Sequence, residues 1–370
     1  MVSTGLKAMA WAAALGLAVL PGLAAAQAPL PPKTAYKAPR DAYGHPDLQG
    51  VWTNASMTRL ERNPRYGKDL ALTEEQARRI EHRNDDLIAL GAKPTDPNAK
   101  VTDLPADCSD GRGVDCNYNA AWTDPGSTVM RVGGQPRNGF ITTTPDGRVP
   151  IRKDLKLGPF GQQPLPRGMS PSDNPETRAL GERCLLSFGN SSGPVMTPVL
   201  YNNTYQIVQT RDQVSIVVEM VHDTRIVRLG ATHLPAAIRP WMGDSVGRWE
   251  GDTLVIETTS FHPEQVFRGA SAHLKVTERL TPLSPSRMHY AFWVEDPTTF
   301  SQAWGGEYEF ARSKGPVYEY ACHEGNYGLV GILQGARQEE RTGVKTAPTN
   351  VDQRAREAQG EGEGEGGDGR

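Results

Sequence analysis

Two histidines stand where alternating segments run out. His222, followed by Asp223 and Arg225, ends the segment 214–222, and His323, followed by Glu324, comes just after the segment 317–322. Imidazole is the side chain suited to carrying protons near neutral pH. Alternation puts Val214, Ile216, Val218, Met220 and His222 on one strand face, with Ser215, Val217, Glu219 and Val221 on the other. Glu219 therefore lies among apolar neighbours, and Glu257 has the same setting beside Val255. A carboxylate facing a barrel interior is desolvated, its pKa rises, and it serves as a general acid or base. Facing outward, it is an ordinary solvated side chain, as a lone histidine is ordinarily a structural hydrogen-bonding residue.

These residues define an expectation for a site at a barrel mouth, where small molecules are commonly held. His222 and His323 carry protons, Glu219 or Glu324 orients or deprotonates, and Arg225 steadies developing negative charge. Trp241 and Tyr327 hold the substrate, with Tyr201 and Asn203 beside them and Trp249 and Trp293 as further aromatic walls. In β proteins such aromatics are otherwise core. The chemistry is that of a lyase, dehydratase or isomerase acting on a small hydroxylated aromatic or polycyclic molecule. The same pocket without chemistry is a lipocalin-like carrier, and a chain without an enclosed pocket is an envelope structural protein.

Cofactors and metals are not expected. No dinucleotide fingerprint, P-loop, HExxH or CxxC pair occurs. Asp103, Asp107, Asp110 and Asp115 cluster in one loop, but their spacing fits no EF-hand, and the loop reads as solvated. Gly189-Asn190-Ser191-Ser192-Gly193 matches G-x-S-x-G formally, yet Pro194 and Pro198 follow where that motif needs a helix.

The elements that must position these side chains are mostly strands. Gly251-Asp252, between 248–250 and 253–259, suits a type II′ hairpin turn, with Leu254, Ile256 and Thr258 on one face. Further strands are expected at 47–53, 118–131, 138–144, 205–210, 214–220, 225–229, 274–280, 288–294, 307–311 and 317–322. Thr73 with Gln76 forms a capping box for a helix ending at Gly91, and 328–340 reads as a closing helix. The fold expected is mainly β, an antiparallel barrel or sandwich with long loops and two peripheral helices.

Residues 1–26 read as a secretory signal peptide, with Lys7 before an apolar run and Ala24-Ala25-Ala26 at the cleavage site. An extended lead-in (27–46), a single β-rich domain with a loop-rich first half (47–340) and a disordered acidic Gly/Glu tail (341–370) follow. The expected location is periplasmic or secreted. A formal net charge of −3 gives no field for nucleic acid or an anionic membrane surface, so the expected partner is a small-molecule ligand or substrate. No membrane association is expected once the signal is removed, and the oligomeric state stays open. In that compartment Cys108, Cys116, Cys184 and Cys322 are expected as disulfides. Of three pairings, Cys108 with Cys116 and Cys184 with Cys322 are preferred.

The motifs Pro46-Asp47-Leu48-Gln49-Gly50-Val51-Trp52, Tyr201-Asn202-Asn203 with 206–210, 241–259 and Tyr320-Ala321-Cys322-His323-Glu324-Gly325-Asn326-Tyr327-Gly328 together resemble a family of exported bacterial proteins without an assigned reaction. The resemblance spans Asp47 to Arg337 and departs at 230–233, where an Asp-Gly-Arg-Pro turn is expected. It implies export and a β-rich body. Gly50-Val51-Trp52, opening the first strand, is also similar to the start of calycin and lipocalin barrels.

Overall fold

A computed structural model of the chain describes residues 29, 36–91, 126–157, 165, 169–187, 193–199 and 201–343. The strands are β1 (Gly50–Thr53), β2 (Arg131–Val132), β3 (Gln135–Pro136), β4 (Thr204–Gln209), β5 (Gln213–Val218) and β6 (Thr224–Leu229). They continue as β7 (Asp244–Glu250), β8 (Thr253–Thr259), β9 (Lys275–Ser284), β10 (Arg287–Glu295) and β11 (Trp304–Arg312). Helices α1 (Glu74–Gly91) and α2 (Tyr327–Thr342) flank them. β2 and β3 pair with each other, and the other nine strands close a barrel in the order β1-β11-β10-β9-β8-β7-β6-β5-β4.

Period-2 alternation selects the barrel lining. Tyr205 and Ile207 of β4, Ile216 and Val218 of β5, Leu254 and Ile256 of β8, and Tyr290 and Phe292 of β10 are all buried inside. Gly251 takes φ +62° between β7 and β8 while Asp252 keeps a negative φ, the combination a type II′ turn needs.

The barrel is mixed. β6 and β7 run parallel, in register Val227↔Ser245, so residues 230–243 must cross outside the barrel instead of turning tightly. Asp244 anchors that crossover: it accepts from Leu234 N (2.9 Å), from Arg228 (2.8 Å) and pairs with His233 Nδ1 (2.8 Å). Position 233 therefore works as a clamp, in place of the tight turn expected there.

β1 is only four residues long, so the first half of β11, paired with β10 on one edge, has no strand partner on the edge that β1 borders. Residues 140–142 fill the seam: Glu307 N donates to Phe140 O (3.0 Å) and Thr142 N to Gly305 O (3.1 Å). The strand expected at 138–144 is thus reduced to a single bridge, Ile141↔Gly306. Contact is this close because Gly306 has no side chain; a Cβ there would sit 2.2 Å from Phe140 O.

Other expectations change in the same way. β5 stops at Val218, and Met220–His222 form a 3-10 turn in which Val221 (φ 58°) and His222 (φ 46°) are left-handed, closed by Val218 N donating to Asp223 O (2.8 Å). Residues 317–322 form no strand, because their backbone bonds side chains and a turn instead of a ladder. Of the strand expected at 118–131, only Arg131 falls in a strand; 118–125 lie outside the described residues, as do Cys108, Cys116, the Asp-rich loop, 1–28, 344–370 and most of 189–193.

Helix α1 starts as expected, with Thr73 N donating to Gln76 Oε1 (2.8 Å) and Gln76 N to Thr73 Oγ1 (3.1 Å). It packs Ala77 and Ile80 on Leu72, Tyr66 and Val129. Cys184 and Cys322 form a disulfide, which fits an oxidising compartment. Among the described residues no helix is long and apolar enough to cross a membrane.

Candidate functional site

Beside one end of the barrel, the disulfide ties the segment after β11 to the loop at 181–184. A groove of about 840 Å³ opens there, lined by Glu182, Tyr201, Glu319, Tyr320, Glu324 and Asn326 among others, with Leu329 and Ile332 of α2 on one side. Tyr201 and Tyr320 lie parallel, with ring centroids 6.5 Å apart and planes 6° from parallel. Two parallel aromatic rings and the residues Glu182, Glu319 and Glu324 therefore line one groove, with the Glu182 carboxylate bonded to Arg178 (2.7 and 2.9 Å).

The supports of this groove are side chains at turns and one from α2. Asn203 is buried and bonds both ends of Val199, its Oδ1 accepting from N and its Nδ2 donating to O (2.7 Å each), which fixes the turn that presents Tyr201. Glu219 is buried and accepts from Tyr318 N (3.0 Å). His222 Nδ1 lies 3.3 Å from Tyr320 O. Asn326 Nδ2 donates to Glu182 O (3.0 Å), and Arg337 of α2 bonds Asp173 O.

The structure thus brings Tyr201, Cys322 and Glu324 into the groove and places Glu219, His222 and Asn203 behind it as supports. His323 is exposed, and its carbonyl accepts from Asn326 N (3.3 Å). Tyr327 is 82% exposed at the start of α2. Trp241 packs on His262 at 3.9 Å between centroids and does not line the groove. Glu257 faces outward, bonded to Lys275 (2.7 Å) and His233 (3.2 Å).

Arg225 points into the barrel and pairs with Glu278, neither more than 2% exposed. Tyr290 donates to Glu278 Oε1 (2.7 Å), Tyr308 to Met196 O (2.5 Å), and Met196 N donates to Tyr290 Oη (3.1 Å). Asn54 Nδ2 reaches Tyr308 Oη (3.1 Å) and Tyr205 Oη (3.3 Å). Burial pushes the phenols of Tyr205, Tyr290 and Tyr308 well up, so all three stay neutral donors. Burial alone would lower the Arg225 guanidinium, but the Glu278 carboxylate outweighs it and holds the pKa above its ordinary value. The inward carboxylate is Glu278, in the setting weighed for Glu219 and Glu257, of which Glu257 faces outward as the alternative reading has it. The signal was present in the alternation Val276, Glu278, Leu280.

No protein-family model matches this chain, and comparison with curated proteins gives no match.

Proposed function

We propose that this is an exported small-molecule-binding protein, periplasmic or secreted, whose site is the groove between Tyr201 and α2. The ligand is a small hydroxylated aromatic molecule. Parallel tyrosine rings offer flat faces to an aromatic ring. Glu319 and Glu324 are acceptors for its hydroxyl groups, Asn326 is a mixed donor and acceptor, and Glu182, whose carboxylate is held by Arg178 (2.7 and 2.9 Å), shapes the lining. The carrying observation is the Tyr201–Tyr320 pair opening onto carboxylates in one groove.

Binding without turnover is the better-supported reading because neither His222 nor His323 lines the groove. His222 is already engaged by Tyr320 O. An acid/base enzyme acting on the same ligand class would have to draw on Glu324 and the neighbouring His323 at the rim. The test is a thermal-shift panel of mono- and dihydroxybenzenes in neutral, cationic and anionic forms. A ligand at a hundred times its Kd adds about 2.7 kcal/mol. Stabilisation lost in Tyr320→Ala, with no product formed, supports a binding protein. Product that disappears in His323→Ala would establish the enzyme instead. No response to any member would remove the groove as a site for this class.

A further inference from the structure

The barrel interior carries a second feature that the groove does not use. Arg225, Glu278, Tyr290, Tyr308, Tyr205 and Asn54 come from different strands, or in the case of Asn54 from just after β1, and form one buried polar layer. Peptide backbone takes part in closing this layer. The segment 193–199 enters the barrel end and puts the Met196 peptide between two phenols: its N–H donates to Tyr290 and its C=O accepts from Tyr308. Val195 and Met196 are fully buried there, and Gly193 lies against the guanidinium, its absent Cβ 3.6 Å from Arg225 Cζ.

We propose that this layer is a recognition site for a secondary amide, and that Met196 is its resident occupant. The two phenols treat the residue's N–H and C=O as they would treat an amide ligand bearing a short flexible apolar side chain. Two further polar atoms in the layer, Asn54 Oδ1 and Arg225 Nε, are buried without a hydrogen-bond partner and extend the set available to such a ligand. Buried ionic groups are weak evidence for stability, since well-packed apolar residues often serve as well. A ligand enters only when 193–199 moves aside, so its apparent affinity is its intrinsic affinity reduced by the fraction of open molecules.

The experiment is amide hydrogen exchange on the oxidised chain with N-acetyl-L-methionine methylamide as probe. Exchange at Met196 should accelerate at least about tenfold at saturating probe while β10 amides stay unchanged, because only the local opening is trapped. The acceleration should be absent in Tyr308→Phe and in Tyr290→Phe. A folded Met196→Gly variant should need about tenfold less probe for the same response. Acceleration that persists in both phenylalanine variants would place the probe elsewhere and overturn the site. No acceleration in wild type overturns it as well, whether or not Met196→Gly folds.

Discussion

The guanidinium of Arg225 lies against the carboxylate of Glu278 inside the barrel, and each completes a charge that the interior could not hold alone. Breaking such a pair from one side leaves an uncompensated buried charge and costs about 3–5 kcal/mol. Glu278→Leu should therefore lower the urea midpoint sharply. The double variant Arg225→Met/Glu278→Leu should recover most of the loss, since no charge then remains buried. If the single and double variants unfold at the same urea concentration, the two side chains are not coupled as described.

The disulfide between Cys184 and Cys322 spans a sequence separation of 138 residues. Closing a loop of that size stabilises by up to about 4–5 kcal/mol in the chain-entropy model. The Cys184→Ser/Cys322→Ser chain should melt several degrees lower, and reductant should lower wild type at least as far. Groove ligands should lose affinity in parallel, because Cys322 is tied to the loop bearing Glu182. A wild-type melting temperature that does not respond to complete reduction, verified by thiol titration, would contradict this.

Gly306 is a position where the seam of the barrel leaves no room for a side chain. Its absent Cβ would meet Phe140 O at 2.2 Å and Phe292 Cζ at 2.8 Å, and the first is backbone that cannot rotate away. Gly306→Ala should cost about 1–3 kcal/mol through overpacking. Equilibrium denaturation measures it, and the exchange protection of Glu307 N should fall with it. Unchanged protection at Glu307 would mean that 140–142 does not close the seam.

β4 and β5 were legible because one face of each is buried in the barrel, which imposes strict alternation on them, whereas β8 and β10 are buried over most of their length and read as apolar runs. Helix α1 was legible from the reciprocal bonds of Thr73 and Gln76. The groove was legible only in part. Tyr201 and Glu324 stand out by type, but the pattern around Tyr320 is that of a strand, since Val317, Tyr318 and Tyr320 have strand-forming side chains. What holds that segment is one carboxylate, one imidazole and one disulfide, all distant in sequence; each residue stands out by type, but local pattern does not show that they meet at 318–322. The parallel pairing of β6 with β7 escaped for a related reason: hydrophobic alternation does not encode strand direction.

Asp244 makes the crossover outside the barrel sensitive to acid. Burial pushes its carboxyl up, but the Leu234 N–H, Arg228 and His233 together hold it below its ordinary value. Glu257 is lowered as well, chiefly by Lys275. For a carboxyl depressed in the folded state, the stabilisation is complete above the unfolded pKa of about 3.9 and disappears as pH falls through the folded value. Asp244→Asn keeps the shape, loses the charge, and should cost roughly 2 kcal/mol at pH 7, as expected for a hydrogen bond to charged groups. The gap between wild type and variant should narrow progressively below about pH 4 as the native carboxylate protonates. Urea denaturation of both chains at intervals from neutral to acid pH gives the gap directly. A gap that stayed constant down to the acid limit would show that the ionised carboxylate is not what holds residues 230–243 in place.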